Sequence, residues 1–173
     1  AVAHVHEMAG RSAEGIAWLK DTEDGWRGCN NFTNHVWWHR ALYHFELAQY
    51  EEVLRLYDEN FRAEPSEDYL DISNAVAMLW RLENAGIAVA GRWDELADKA
   101  EKRTAEHLLV FADLHFAIAL AAAGRGTKLD RMIDSMRLTI STRRTTQEQV
   151  LAEVGATMAQ AVRAQYQGDF ELA

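Results

Sequence analysis

The sequence predicts an all-α chain, a right-handed α-solenoid of about five helix pairs, and three observations carry that expectation. A short apolar helix, a tight turn and a second helix return five times, at AGRSAEGIAWL (9–19), LAQYEEVLRLY (47–57), AGRWDELADKA (90–100), AGRGTKLDRMI (123–133) and QGDFELA (167–173). Set on the turn residues Gly10, Ala48, Gly91, Gly124 and Gly168, the periods are 38, 43, 33 and 44 residues, in the range of stacked helix-pair arrays. The one proline, Pro65, falls between repeats and leaves long helices uninterrupted. No stretch shows the apolar and polar alternation of a half-buried strand.

The elements follow in order as irregular tetratricopeptide-like pairs within one domain, 1–173. In the first repeat Ala3 and Gly15 stand where helices must approach closely. Asp21 to Asn31 is polar and glycine-bearing and reads as a loop. The second repeat is the clearest, with helices expected over Asn34–Leu47 and Tyr50–Phe61. Trp37 takes its bulky position, Ala41 its small one and Tyr50 the turn aromatic, while Leu56 and Tyr57 face back onto the first helix. Ser66, Glu67 and Asp68 are residues that start a helix. In the third repeat Trp80 matches Trp37, Gly91 takes the turn and Trp93 matches Tyr50. Trp37 and Trp80 are therefore expected to be largely buried. Gly126 replaces the aromatic in the looser fourth repeat, and Phe170 restores it in the fifth. Thr145 with Glu148 three residues later is a capping box. Glycine at four of the five turns supplies the left-handed backbone that a tight turn demands.

Composition narrows the function classes. Of 173 residues, 49% are hydrophobic and 26% charged, a globular balance. The formal charge of −9, from 18 basic and 27 acidic residues, opposes a phosphate backbone as partner. Arg143-Arg144 is too short a basic run to reverse this. The single cysteine, Cys29, forms no internal disulfide and suits a reducing, cytoplasmic setting. No apolar run of about 18 residues predicts a membrane span. The chain opens on AVAHVHEMAG and stops at QGDFELA, both inside repeats. It is read as a piece truncated at both ends, with self-association through its uncapped ends expected.

The run NNFTNHVWWHRALYHFELAQYEEVLRLYD (30–58) closely resembles the tetratricopeptide repeat protein 38 family, through His35, Trp37, Trp38, His39 and Leu56-Tyr57-Asp58. AHVHEMAGRSAEGIAWL and FADLHFAIALAAAGR are similar to that family as well. The resemblance implies a helical-repeat protein, longer than this chain, and brings no catalytic residue with it.

Histidines are the most suggestive side chains. His35 and His39 are four residues apart and share a helix face. On the repeat template His4 and His35 fall on the concave stripe, and His39 and His115 at its edge. Four histidines thus point toward one groove, where Glu7 and Asp113 can join them. A metal reading is set aside, because HVWWH is not HExxH and lacks its general-base glutamate; no metal and no cofactor are expected. Trp38 with Phe45 offers an aromatic surface for a peptide or planar ligand. Trp26 either folds over the groove or pins its loop. Cys29 has no basic neighbour but Arg27 and is a poor nucleophile candidate.

The leading expectation is an interaction module that binds a peptide or protein in a concave groove. The alternative is a small-molecule-binding protein or enzyme whose ligand residues are His4, His35, Trp38, His39, Phe45 and His115. Groove positions hold mostly His, Trp, Leu, Met and Ala, with Arg81 the one basic exception, so a carboxylate clamp for peptide C-termini is not expected.

Overall fold

The structure is a computed structural model and describes residues 2–30, 32–140 and 145–171. The Arg143-Arg144 run and the last two residues lie outside the described residues. Among those described, the chain is all-helical, with no strand. None of these helices is long and apolar enough to cross a membrane. Packing divides the chain into two compact units, residues 1–88 and 89–173.

The first unit contains α1 (Val2–Met8), α2 (Ser12–Asp21), α3 (Glu23–Trp26), α4 (Phe32–Glu46), α5 (Tyr50–Leu56) and α6 (Tyr69–Asn84). A π-helical turn, Tyr57–Phe61, extends α5, so the expected helix Tyr50–Phe61 is continuous but widened at its end. The hub is α4, against which α2, α5, the π turn and α6 all pack. It can serve four neighbours because Val36, Trp37, Ala41, Leu42 and Tyr43 are buried around it. Fully buried Tyr43 faces Gly15 of α2. A Cβ at Gly15 would fall 2.6 Å from the Tyr43 ring, so the small residue is a steric requirement. The Tyr43 hydroxyl donates to Ala3 O at 2.5 Å and ties α1 to α4.

Trp37 is buried, 7% exposed, with the Trp26 ring edge-on at 4.9 Å. Trp26 Nε1 donates to Leu19 O at 3.2 Å. Trp26 therefore pins the connection from α2 to α4, which contains the short α3 where a loop was expected. Trp80 is half-buried rather than largely buried. Asp68, not Ser66, caps α6, accepting from Leu70 N at 2.8 Å. Ser66 instead donates to Asp71 at 2.6 Å.

The second unit contains α7 (Arg92–Glu101), α8 (Val110–Ala122), α9 (Gly126–Ile140), α10 (Thr146–Val150) and α11 (Ala156–Gln167). A second π-helical turn, Leu151–Gly155, joins the last two. Here α8 is the hub for α7, α9 and α11. Its Ala112, Ala117 and Ala119 allow close approach, and Leu96, Leu120, Leu129, Met132 and Met136 fill the core. The capping box forms at α10: Thr145 Oγ1 accepts from Glu148 N at 3.1 Å, and Glu148 Oε2 accepts from Thr145 N at 2.8 Å.

A left-handed residue follows the first helix of each expected pair. Gly10, Ala48, Gly124 and Gly168 have φ of 65°, 55°, 71° and 78°. In the third turn Gly86, φ 80°, follows α6, and Ala90, φ 51°, is a second left-handed residue just before Gly91, which has φ −76° and is the N-cap of α7. Gly10, Ala48, Gly86, Gly124 and Gly168 are 38, 38, 38 and 44 positions apart. Burial keeps the expected register of Trp93 on Tyr50: 43 positions apart, Val53 and Leu96 are both buried, as are Tyr57 and Ala100.

Candidate functional site

Three histidines converge in the first unit. One turn of α4 sets His35 above His39, and their Nε2 atoms are 3.1 Å apart. His4 comes from α1, its ring edge-on to His39 at 4.4 Å. One ring nitrogen from each of the three lies within 4.8 Å of the others. Exposure is graded, with His39 buried at 3%, His35 half-buried and His4 exposed.

Neighbouring elements hold this arrangement. Asn34 Nδ2 donates to buried Asp71 at 3.1 Å, fixing the start of α4 against α6. One turn along α6, Asn74 Nδ2 lies 3.2 Å from His35 Nδ1. Trp38 stacks on His35, centroids 5.6 Å apart and planes within 17°, and meets His39 edge-on at 5.3 Å. Its buried Nε1 has no hydrogen-bond partner among the described residues. Phe32, 55% exposed, leans on the outer side of His35 at 5.7 Å.

One proton assignment satisfies these contacts. Asn74 donates to His35 Nδ1, His35 Nε2 donates to His39 Nε2, and His39 carries its proton on Nδ1. Glu7 Oε2 is 2.9 Å from that Nδ1 but out of line with the N–H, an electrostatic contact rather than an aligned hydrogen bond. Burial first, then the charge of His4, lowers the pKa of His35. Burial, then His35 and His4, pushes that of His39 down to about 3. The Glu7 carboxylate is partly exposed and screened, and does not reverse this direction. Both α4 imidazoles are neutral at pH 7, the state in which imidazole accepts a proton or binds a metal.

Of the ligand residues expected from the sequence, His4, His35, Trp38 and His39 therefore meet, and Glu7 joins them. Phe45 is engaged elsewhere, edge-on to Tyr50 at 5.5 Å. His115 belongs to the second unit, on α8, with its Nδ1 2.7 Å from Phe111 O. Asp113 also lies on α8 and contacts His107. Arg81 donates to Ala77 O at 2.8 Å and borders a cleft of about 600 Å³ with Glu7, Arg11, Glu14, Tyr43 and Glu46. Cys29 is exposed. Asn74 escaped the sequence reading, since no local signal links it to a histidine 39 positions earlier.

The second unit holds another constellation that sequence reasoning missed. Buried His107, with φ +47°, places Nδ1 3.3 Å from Asp113 Oδ1 and Nε2 3.0 Å from Ser135 Oγ. This is the connectivity of a serine nucleophile triad. Ser135, however, lies inside α9, where backbone N–H groups are committed to the helix and cannot stabilise an oxyanion. His107 acts as a strap that joins the segment between α7 and α8 to α9, and its bonds offset the strain of its left-handed backbone.

No protein-family model matches the chain, and no solved structure matches it at a significant level.

Proposed function

We propose that this chain is an irregular tetratricopeptide-like array that binds a small ligand at the cluster of His4, His35, Trp38 and His39. The observation that carries the reading is the convergence of these four side chains, three from one helix and one from another, around the buried, neutral His39. The other buried histidine of α4, His44, stands outside the cluster, its Nδ1 paired with Gln49 Oε1 at 2.6 Å. A shared cluster that also leaves a tryptophan N–H unpaired is a site with capacity to spare. The recurrent left-handed turns support the solenoid part of the proposal. The segment that carries the resemblance to the tetratricopeptide repeat protein 38 family, 30–58, supplies three of the four site residues. A cytoplasmic location belongs to the same proposal, on the lone exposed thiol.

A second reading, a module that docks a protein partner, is favoured by apolar exposure on α1 and at the start of α4. Val2, Val5 and Met8 of α1 are 43%, 55% and 90% exposed, and Phe32 of α4 is 55% exposed.

Native mass spectrometry of the purified chain, compared with the His35→Ala/Trp38→Ala double variant, separates the two. A non-covalent adduct on the parent that the folded variant loses is the expected result. No adduct on either protein would remove the small-ligand reading and leave the docking module.

A further inference from the structure

The ligand class can be narrowed on the reading that the histidine cluster is the working site. Two nitrogens bound to one zinc-sized ion at about 2.0–2.1 Å lie roughly 3.0–3.4 Å apart. His35 Nε2 and His39 Nε2, at 3.1 Å, already stand at that chelating separation. His4 brings a third nitrogen within 4.8 Å of both from an exposed side chain that is able to adjust. The far side of each ring is also provided for. Metal-bound histidines turn their other N–H to a carboxylate, carbonyl or amide, which fixes the ring. Here His39 turns Nδ1 toward Glu7 and His35 turns Nδ1 toward Asn74, whose amide presents its oxygen after a half-turn.

We propose that His4, His35 and His39 bind one divalent transition-metal ion through three imidazole nitrogens, with Glu7 and Asn74 as positioning residues. Three neutral nitrogens without a carboxylate or thiolate ligand select zinc, copper or nickel over calcium and magnesium, which require oxygen. The graded exposure leaves the remaining coordination position on the His4 side, toward solvent. That is the open arrangement of an exchangeable or catalytic ion, not the closed four-ligand set of a structural one.

The test is titration of the chelator-treated 173-residue chain with ZnCl₂ by calorimetry and with CoCl₂ by visible absorption. Expected are one ion per chain and cobalt ligand-field bands of a low-symmetry nitrogen site. His35→Ala or His39→Ala should weaken binding by more than about 100-fold, and Glu7→Gln or Asn74→Ala by roughly 10- to 100-fold. His6→Ala and His115→Ala should bind as the parent does. Should a ligand variant fail to fold, the cobalt spectrum of the parent and zinc protection of His35 and His39 from carbethoxylation decide the matter. No saturable binding, or binding that survives the folded His35→Ala/His39→Ala pair, overturns the proposal. An organic adduct at the cluster without metal binding removes the ion and keeps the site; neither adduct nor ion removes both.

Discussion

Tyr43 shows how much one side chain does here. It fills the space that Gly15 leaves, bonds to Ala3 O, and has its pKa pushed up to about 12, by burial first and then by the Glu7 charge. In the unfolded chain a tyrosine ionises near 10. A raised folded value means that the contribution of this group is full below about pH 10 and is lost as pH rises toward about 12. Urea midpoints measured across that window should fall more steeply for the parent than for Tyr43→Phe. Parallel curves would contradict the buried hydroxyl. Histidines were legible at this scale in part. Spacing alone pairs His35 with His39, because a helix repeats its face every four residues. The repeat template places His4 on the same stripe as His35, whereas the approach of Asn74 depends on how α6 packs, which is not written in local sequence.

At the scale of elements, the informative feature is the turn. Glycine takes the left-handed position after the helix at Gly10, Gly86, Gly124 and Gly168, and alanine takes it at Ala48. The third turn adds a second left-handed residue, Ala90, so Gly91 beside it has an ordinary φ although it was expected to be the left-handed turn residue. Two substitutions test these assignments. Gly124→Ala meets no atom within 4 Å, so it should cost only the left-handed penalty, about 1–2 kcal/mol. Gly91→Ala, at φ −76°, should change stability by less than about 0.5 kcal/mol, a lower unfolded entropy opposing a poorer N-cap. Chemical denaturation measures both, and a large loss at Gly91 would contradict its ordinary backbone angle. Helix limits were otherwise close to expectation: Asn34–Leu47 was expected and Phe32–Glu46 is found, because the apolar period and the turn residues agree.

Over the whole molecule, every residue of the proposed metal site lies within the first compact unit, 1–88. That unit has its own core around Leu19, Tyr43, Leu56, Ile72 and Leu79. Residues 1–88 expressed alone should therefore give a helical circular dichroism spectrum and bind zinc with the stoichiometry of the full chain. A folded fragment that has lost zinc binding would mean that residues beyond 88 complete the site. The helix-pair period was legible in the sequence because turns are local. The division near residue 88 was not. The AGRWDELADKA pattern marks a turn into a helix but does not say which neighbour that helix will choose, and α7 packs on α8 within the second unit.

The two π-helical turns, Tyr57–Phe61 and Leu151–Gly155, bear on tolerance to changes in chain length. A π turn takes up one residue more than an α turn; Leu151–Gly155 does so between two helices, and Tyr57–Phe61 does so at the end of α5. In a continuous α-helix the same extra residue would rotate everything after it by about 100°. Tyr57 and Phe61 are both buried, with ring centroids 5.1 Å apart, while Asp58 and Glu59 between them are exposed. Glu153 and Val154 are exposed in the same way between buried Leu151 and Gly155. Deletion of one of these exposed residues converts each wide turn back toward α geometry. Deletion of one residue is thus expected to be tolerated at these two points, and thermal denaturation of the Glu59 and Val154 deletions checks it.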